Sequence, residues 1–170
     1  MSASACAPIV RPATEADLPG ILAIYNDAVL HSTASWNETA VDLDDRRAWL
    51  LLRQAQNYPV LVAAVGDTVA GYASFGDFRA FEAYRHTVEH SVYVAAGARG
   101  RGLGPALVQA LFPLALALGK TVMIGGIDAA NAPSLRMHER LGFRETGRLP
   151  GVGRKFGRKL DLVFMQKELG

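Results

Sequence analysis

Ser91-Val92-Tyr93-Val94, followed by Arg99-Gly100-Arg101-Gly102-Leu103-Gly104 and the apolar run from Ala106 to Leu118, reads in order as a strand, a glycine-rich turn and a helix start. Glycines carry no side chain to hold a ligand off the backbone, and a helix N-terminus offers unpaired N–H donors at the positive end of its dipole. Such a segment binds an anion, and the pyrophosphate of a nucleotide-bearing ligand is the leading expectation. Tight turns before helices also use glycine, so the spacing has to narrow the choice. The dinucleotide fingerprint needs G-x-G-x-x-G, and the phosphate loop of nucleotide hydrolases needs G-x-x-x-x-G-K-[ST]. Here the turn reads G-x-G-x-G and continues as Pro105-Ala106, with neither lysine nor hydroxyl, so neither alternative fits.

Around this segment the 170-residue chain, half of it hydrophobic, is long enough for one compact domain with its own core. No linker or repeat divides it, so residues 1–170 are expected to form a single domain, with 1–7 disordered. Eighteen basic and sixteen acidic residues leave a formal charge of +2, too balanced to suggest a nucleic-acid partner. The stretch from Arg144 to Arg158 is locally basic, which suits a solvated face or a ligand-binding one. A lone cysteine, Cys6, excludes an internal disulfide and a cysteine metal cluster, and no metal is expected. The most apolar stretch, Leu107 to Leu118, is too short to span a bilayer and contains Pro113, and no secretory start precedes it. A soluble, cytoplasmic protein with no membrane partner is the expectation.

Hydrophobic periodicity supplies the elements. Ile9-Val10-Arg11 suits a first strand, and Thr14-Glu15-Ala16-Asp17 caps a helix in which Leu18, Ile21, Leu22, Tyr25 and Val29 recur at helical spacing. Asp42-Leu43-Asp44-Asp45 opens a second helix that Tyr58-Pro59 stops. Val60 to Val65 and Val69 to Phe75, separated by Gly66-Asp67, form an antiparallel hairpin. Then come a strand from Thr87 to Val94, the glycine turn, a third helix to Leu118 that Pro113 should kink, and a strand from Thr121 to Ile127. A fourth helix from Pro133 to Leu141 and strands near Phe143 to Arg148 and Lys159 to Lys167 complete an α/β chain. Gly151 to Gly157 reads as a mobile glycine-rich connection between the last two.

Asn131-Ala132-Pro133-Ser134 opens the fourth helix, which leads through His138 to Leu141-Gly142-Phe143. Together with Arg99 to Gly104, this pattern resembles the GNAT superfamily of N-acetyltransferases. Further stretches resemble its phosphinothricin and methionine sulfoximine N-acetyltransferases: Phe78-Arg79-Ala80-Phe81, Tyr84 to Val94, and Val152 to Arg158 with Leu160-Asp161-Leu162. The likeness spans nearly the whole chain. It implies a GNAT fold, a mixed central β-sheet, mostly antiparallel and splayed at its fourth and fifth strands, flanked by about four helices. It also implies acetyl-CoA as co-substrate, a small amino-acid analogue as acceptor, and a homodimer.

The likeness distributes roles along the chain. Val92, Tyr93 and Val94 would run beside the pantetheine arm, Gly100, Arg101, Gly102, Leu103, Gly104 and Pro105 would cradle the pyrophosphate, and Asn131 and Ser134 would meet the pantetheine or fix the loop. Asn131 serves equally as an N-cap. Acceptor contacts fall on Arg79, Ala80 and Phe81 and again on Glu89, His90 and Ser91, while Arg79 and Arg85 suit a carboxylate clamp. Arg85 is as well a surface ion-pair partner. Glu89 takes the position of the general base, its pKa raised by desolvation and offset by Arg85 or by the substrate cation; read by period alone it is an ordinary strand carboxylate. His138 stands where a tyrosine often protonates the departing thiolate, and is a proton donor, a pantetheine contact or a bystander. Trp36 closes the pocket or belongs to the core. The favoured activity is acetyl transfer to the α-amino group of phosphinothricin, methionine sulfoximine or methionine sulfone in a ternary complex. The alternatives are another amine (a polyamine, an aminoglycoside or a protein terminus) or a non-catalytic acyl-CoA sensor.

Overall fold

Residues 7–170 are described by a computed structural model; Cys6 and the disorder expected of the first residues fall outside that range, apart from an exposed Ala7. The apolar runs of the sequence become β1 (Ile9–Pro12), β2 (Val60–Val65), β3 (Thr68–Asp77), β4 (Thr87–Val94), β5 (Val122–Asp128), β6 (Arg144–Lys155) and β7 (Arg158–Glu168). The periodic segments become α1 (Leu18–His31), α2 (Leu43–Ala55), α3 (Leu103–Ala117) and α4 (Ala132–Arg140). Short polar side chains start the first two as expected. Thr14 and Asp17 form a capping box before α1, with Arg11 gripping Asp17 through two 2.8 Å bonds. Asp42 caps α2 by accepting from the Asp45 amide at 2.9 Å. α3 runs on through Pro113 to Ala117.

The seven strands form one sheet in the order β1-β2-β3-β4-β5-β7-β6, antiparallel except for β4 beside β5. That exception positions the site. β4 pairs with β3 along its whole length, from Val88 to Val94, but with β5 only at Thr87, Val88 and Glu89. Beyond Glu89 the two strands part, and β5 continues with β7 alone. Strand alternation then sorts β4 between two cores. Val88 is fully buried against α3 and α4 with Leu107, Leu111 and Met123, whereas Tyr93 packs with Tyr25 and Tyr72 on the face covered by α1 and α2. Glu89 and Ser91 share the latter face.

The C-terminal stretch is not the mobile connection that its glycines suggest. β6 and β7 pair from Arg144 to Lys155, joined by a two-residue turn at Phe156-Gly157 with φ of 51° and 73°. Two consecutive positive φ values suit the right-handed twist of a hairpin, and glycine takes the second without strain. Register shifts at Glu145/Gly147 and Leu149/Gly153 absorb the extra residues as bulges.

Candidate functional site

The parting of β4 and β5 leaves the far edge of β4 without a strand partner from His90 onward. Its alternate N–H and C=O groups there lack a strand partner among the described residues and suit a ligand that carries amides at strand-like spacing, although the Val94 carbonyl accepts from Arg99 Nε at 3.3 Å. A groove of about 1180 Å³ follows this edge. Val92, Tyr93 and Val94 line it, then Gly100, Gly102, Leu103, Gly104 and Pro105 at its mouth, with Asn131 and Ser134 on the opposite wall. Arg101 alone of the expected cofactor positions is not part of the lining. Gly100 and Gly102 hold φ of 75° and 77°, and no atom lies within 4 Å of where a Cβ would stand on either. Gly102 precedes α3 with no side-chain cap, leaving the first amides of the helix to an anion. Asn131 is the N-cap of α4, accepting from the Ser134 amide at 3.2 Å, and lines the groove as well.

Glu89 stands where the strands separate. It is half-buried, and burial pushes its carboxyl pKa above the ordinary value, with Arg79 opposing. Gly126 on β5 makes room for it: a Cβ there would sit 3.0 Å from Glu89 Oε1. Arg79 lies over the Phe78 ring at 4.2 Å and donates to the Phe78 carbonyl at 2.8 Å. Ala80 and Phe81 are exposed, Phe81 to 77%. Arg85 turns back on its own turn, donating to the Glu82 carbonyl at 3.2 Å. The cation that offsets Glu89 is therefore Arg79 and not Arg85.

His138 lies off the groove, the placement that suits the bystander among its three readings. It is 2% exposed and absent from the groove lining, because its position on α4 faces the sheet. Its Nδ1–H donates to the Ser134 carbonyl at 2.7 Å, which leaves Nε2 to accept from His90 Nε2–H at 3.0 Å. The two rings stack at 5.0 Å with Phe143 edge-on, above Gly125, where a Cβ would meet His90 Nε2 at 3.0 Å. His90 is itself buried, its Nδ1 unpartnered, so only its backbone faces an acceptor. Burial lowers both ring pKa values, His90 to about 3, so both rings are neutral in the physiological range. The pair props the parting strands from beneath. His138→Ala is expected to cost about 2–4 kcal/mol of stability, seen in the denaturant midpoint, and to leave the pH profile of the rate unchanged. Loss of a rate limb near neutral pH would assign the ring a proton-transfer role instead.

Other participants carry little local signal. Lys155 on β6 is 2% exposed and donates to the carbonyls of Ser32 and Ser35 at 2.7 and 2.6 Å, holding the α1–α2 loop that forms one groove wall. Thr33 in that loop donates to Asp128 at the end of β5 at 2.5 Å. The Trp36 ring lies on Gly153, where a Cβ would approach it to 2.4 Å. Composition hides Lys155 and Thr33, a lysine among glycines reading as surface, whereas Trp36 stands out in the sequence as a pocket or core residue. Among the described residues no group of His, Cys, Asp and Glu is arranged to hold a metal, and no helix is long and apolar enough to cross a membrane.

A sheet opened at a parallel strand pair, with a glycine turn and helix N-terminus at the mouth and a half-buried carboxylate at the root, defines a class of protein. Such a groove suits a long, phosphorylated, amide-bearing ligand. The chain belongs to the acetyltransferase (GNAT) family, whose model matches residues 21–143. It is 58% identical over 162 residues to the L-methionine sulfoximine/L-methionine sulfone acetyltransferase of Pseudomonas aeruginosa, covering 94% of each chain. The phosphinothricin N-acetyltransferase of Streptomyces coelicolor is 37% identical over 163 residues, covering 94% of this chain and 95% of that one. A structure from Salmonella typhimurium with its cofactor acetyl-CoA superposes with a TM-score of 0.94 at 51% identity, covering 96% of this chain and 95% of that one.

Proposed function

We propose that the protein transfers the acetyl group of acetyl-CoA to the α-amino group of a small amino acid such as methionine sulfoximine, methionine sulfone or phosphinothricin. The observation that carries this reading is Glu89: a half-buried carboxylate with a raised pKa where β4 and β5 part, just ahead of Val92, the first β4 residue of the groove lining, with Arg79 as its opposing cation. An ammonium cannot attack a thioester, so Glu89 takes one proton from it, directly or through a water. The neutral amine then attacks the carbonyl, whose developing negative charge a free N–H of the β4 edge stabilises. Collapse breaks the carbon–sulfur bond, and the second amine proton neutralises the departing thiolate. No buried histidine is needed as an acid, and no covalent enzyme species forms. Arg79 holds the acceptor carboxylate, Phe81 and Ser91 flank it, and the Gly100 to Pro105 turn takes the pyrophosphate.

The named activities of the relatives support this acceptor class. The test is acetyl-CoA-dependent release of free thiol with phosphinothricin, methionine sulfoximine, methionine sulfone, ordinary amino acids, spermidine and an aminoglycoside. Saturable turnover confined to the amino-acid analogues is expected; turnover only with the polyamine or aminoglycoside overturns the reading. A cytoplasmic homodimer completes it, supported by exposed Leu149, Val152 and Phe156 along the β6–β7 hairpin. Sedimentation is expected to give twice the 18.2 kDa chain mass, and Val152→Glu to shift the protein toward that of one chain.

A further inference from the structure

Arg53 of α2 reaches across the sheet to Gly76 of β3, where a Cβ would stand only 2.7 to 2.9 Å from the guanidinium atoms. Gly76 pairs with Glu89 in the β3–β4 register. Directly opposed residues of an antiparallel pair project from the same face with Cβ atoms about 5 Å apart, so the guanidinium hangs within about 8 Å of the Glu89 Cβ. Glycine at position 76 is what admits a planar cation there. Arg53 is half-buried, and its Nη1 donates to Gln56 Oε1 at 3.1 Å. Its Nε is enclosed and has no hydrogen-bond partner among the described residues, and no carboxylate there comes within 4.0 Å of it. Asp77 and Tyr58 act on it from a distance, while burial draws its pKa down. Glu89, in turn, is offset by Arg79 alone. Arg53 is thus a half-buried cation whose Nη1 and Nη2 lie on the face that Glu89 shares, with no carboxylate within ion-pair distance among the described residues.

The proposed acceptors have three recognition points: an amine, an α-carboxylate and an oxygen-bearing terminus about 5 Å along the extended side chain. Glu89 and Arg79 account for the first two. We propose that Arg53 binds the third, the phosphinate, sulfone or sulfoximine oxygens, and so selects oxidised or phosphorus-bearing side chains over plain ones. This rests on the acceptor class proposed above. A planar guanidinium suits two oxygens on one tetrahedral centre, where a lysine in its place would offer a single point charge.

The experiment compares L-methionine sulfone with L-methionine, which has the same chain without the two oxygens, in the wild type, Arg53→Gln and Gly76→Ala. The wild type is expected to favour the sulfone. Arg53→Gln is expected to lower kcat/KM for the sulfone by about 10- to 100-fold, through KM, while methionine and the KM for acetyl-CoA change less than about twofold. Gly76→Ala keeps the charge but displaces the guanidinium, and is expected to shift preference in the same direction. An equal loss for both acceptors, or a parallel rise in the acetyl-CoA KM, overturns the assignment of Arg53 while leaving the acceptor class intact. Wild type that acetylates neither amino acid overturns both.

Discussion

Glu89→Gln is expected to lower kcat by about 10²- to 10⁴-fold while the affinity for acetyl-CoA stays within about twofold. Glutamine keeps the shape of the side chain against Gly126 but cannot accept the ammonium proton. In the wild type, burial raises the carboxyl pKa, so the rate is expected to climb with pH through a value above the ordinary carboxylate range and then level; that limb disappears in the variant. Stability moves the other way. A carboxyl whose folded pKa is raised favours the fold while protonated and loses that contribution as pH rises through the folded pKa. At neutral pH the wild type therefore carries the cost of an ionised, half-buried group that the glutamine does not. The variant is expected to melt no lower than wild type at pH 7, and higher relative to wild type at pH 7 than at pH 4. Stopped turnover accompanied by lost acetyl-CoA binding would show instead that Glu89 shapes the groove.

Lys155→Met is expected to destabilise the fold and loosen the groove together, with a loss of at least about 2 kcal/mol in the stability measured by denaturant unfolding. Two carbonyls that now accept from an ammonium at 2.7 and 2.6 Å would be left enclosed beside an apolar chain. Methionine fills similar volume, so a cavity does not explain the cost. The loop from Ser32 to Ser35 would then be held by Thr33 on Asp128 and by Asn37 on the Tyr25 hydroxyl, but not from the hairpin. Because Ser32, Thr33 and Ala34 form a wall of the groove, KM for both substrates is expected to rise by several-fold, with kcat less affected. Unchanged stability would mean that water satisfies those carbonyls and that the lysine anchors nothing.

The legible part of the fold follows from short-range rules. The caps at Thr14 and Asp42, the turn at Gly66-Asp67 and the helix start after Gly102 depend on residues a few positions apart. Their elements lie within a few residues of where periodicity put them. Both strands of the last hairpin are legible, but its paired middle around Gly151 to Gly157 escapes, because glycines that suggest mobility are here the residues that make bulges and a positive-φ turn possible. Its order comes from pairing with β7, a partner that composition does not reveal. Among site residues, the glycine turn was legible through its place before a helix, whereas Glu89 stood out only by resemblance, periodicity alone making it an ordinary strand carboxylate. Arg85 and His138 carried the right chemistry at plausible positions, and only their surroundings direct them away.

The amino-acid sequence alone determined the element order, the anion-binding turn, the alternation that sends Glu89 and Val88 to opposite faces, and, by resemblance, the family. Tertiary structure decided which of those residues meet. Lys155 reaches a loop 120 residues away, His138 meets His90 across 48 residues, and the Arg53 guanidinium of α2 lies on Gly76 of β3. Each of these contacts depends on the strand order β3-β4-β5-β7-β6 and on β4 leaving β5 after Glu89. Hydrogen-bonded turns and periodic faces are local, so sequence encodes them where they occur. Contacts between distant segments follow from how the whole sheet packs, and burial, which raises the pKa of Glu89 and lowers those of His90 and His138, exists only once it has.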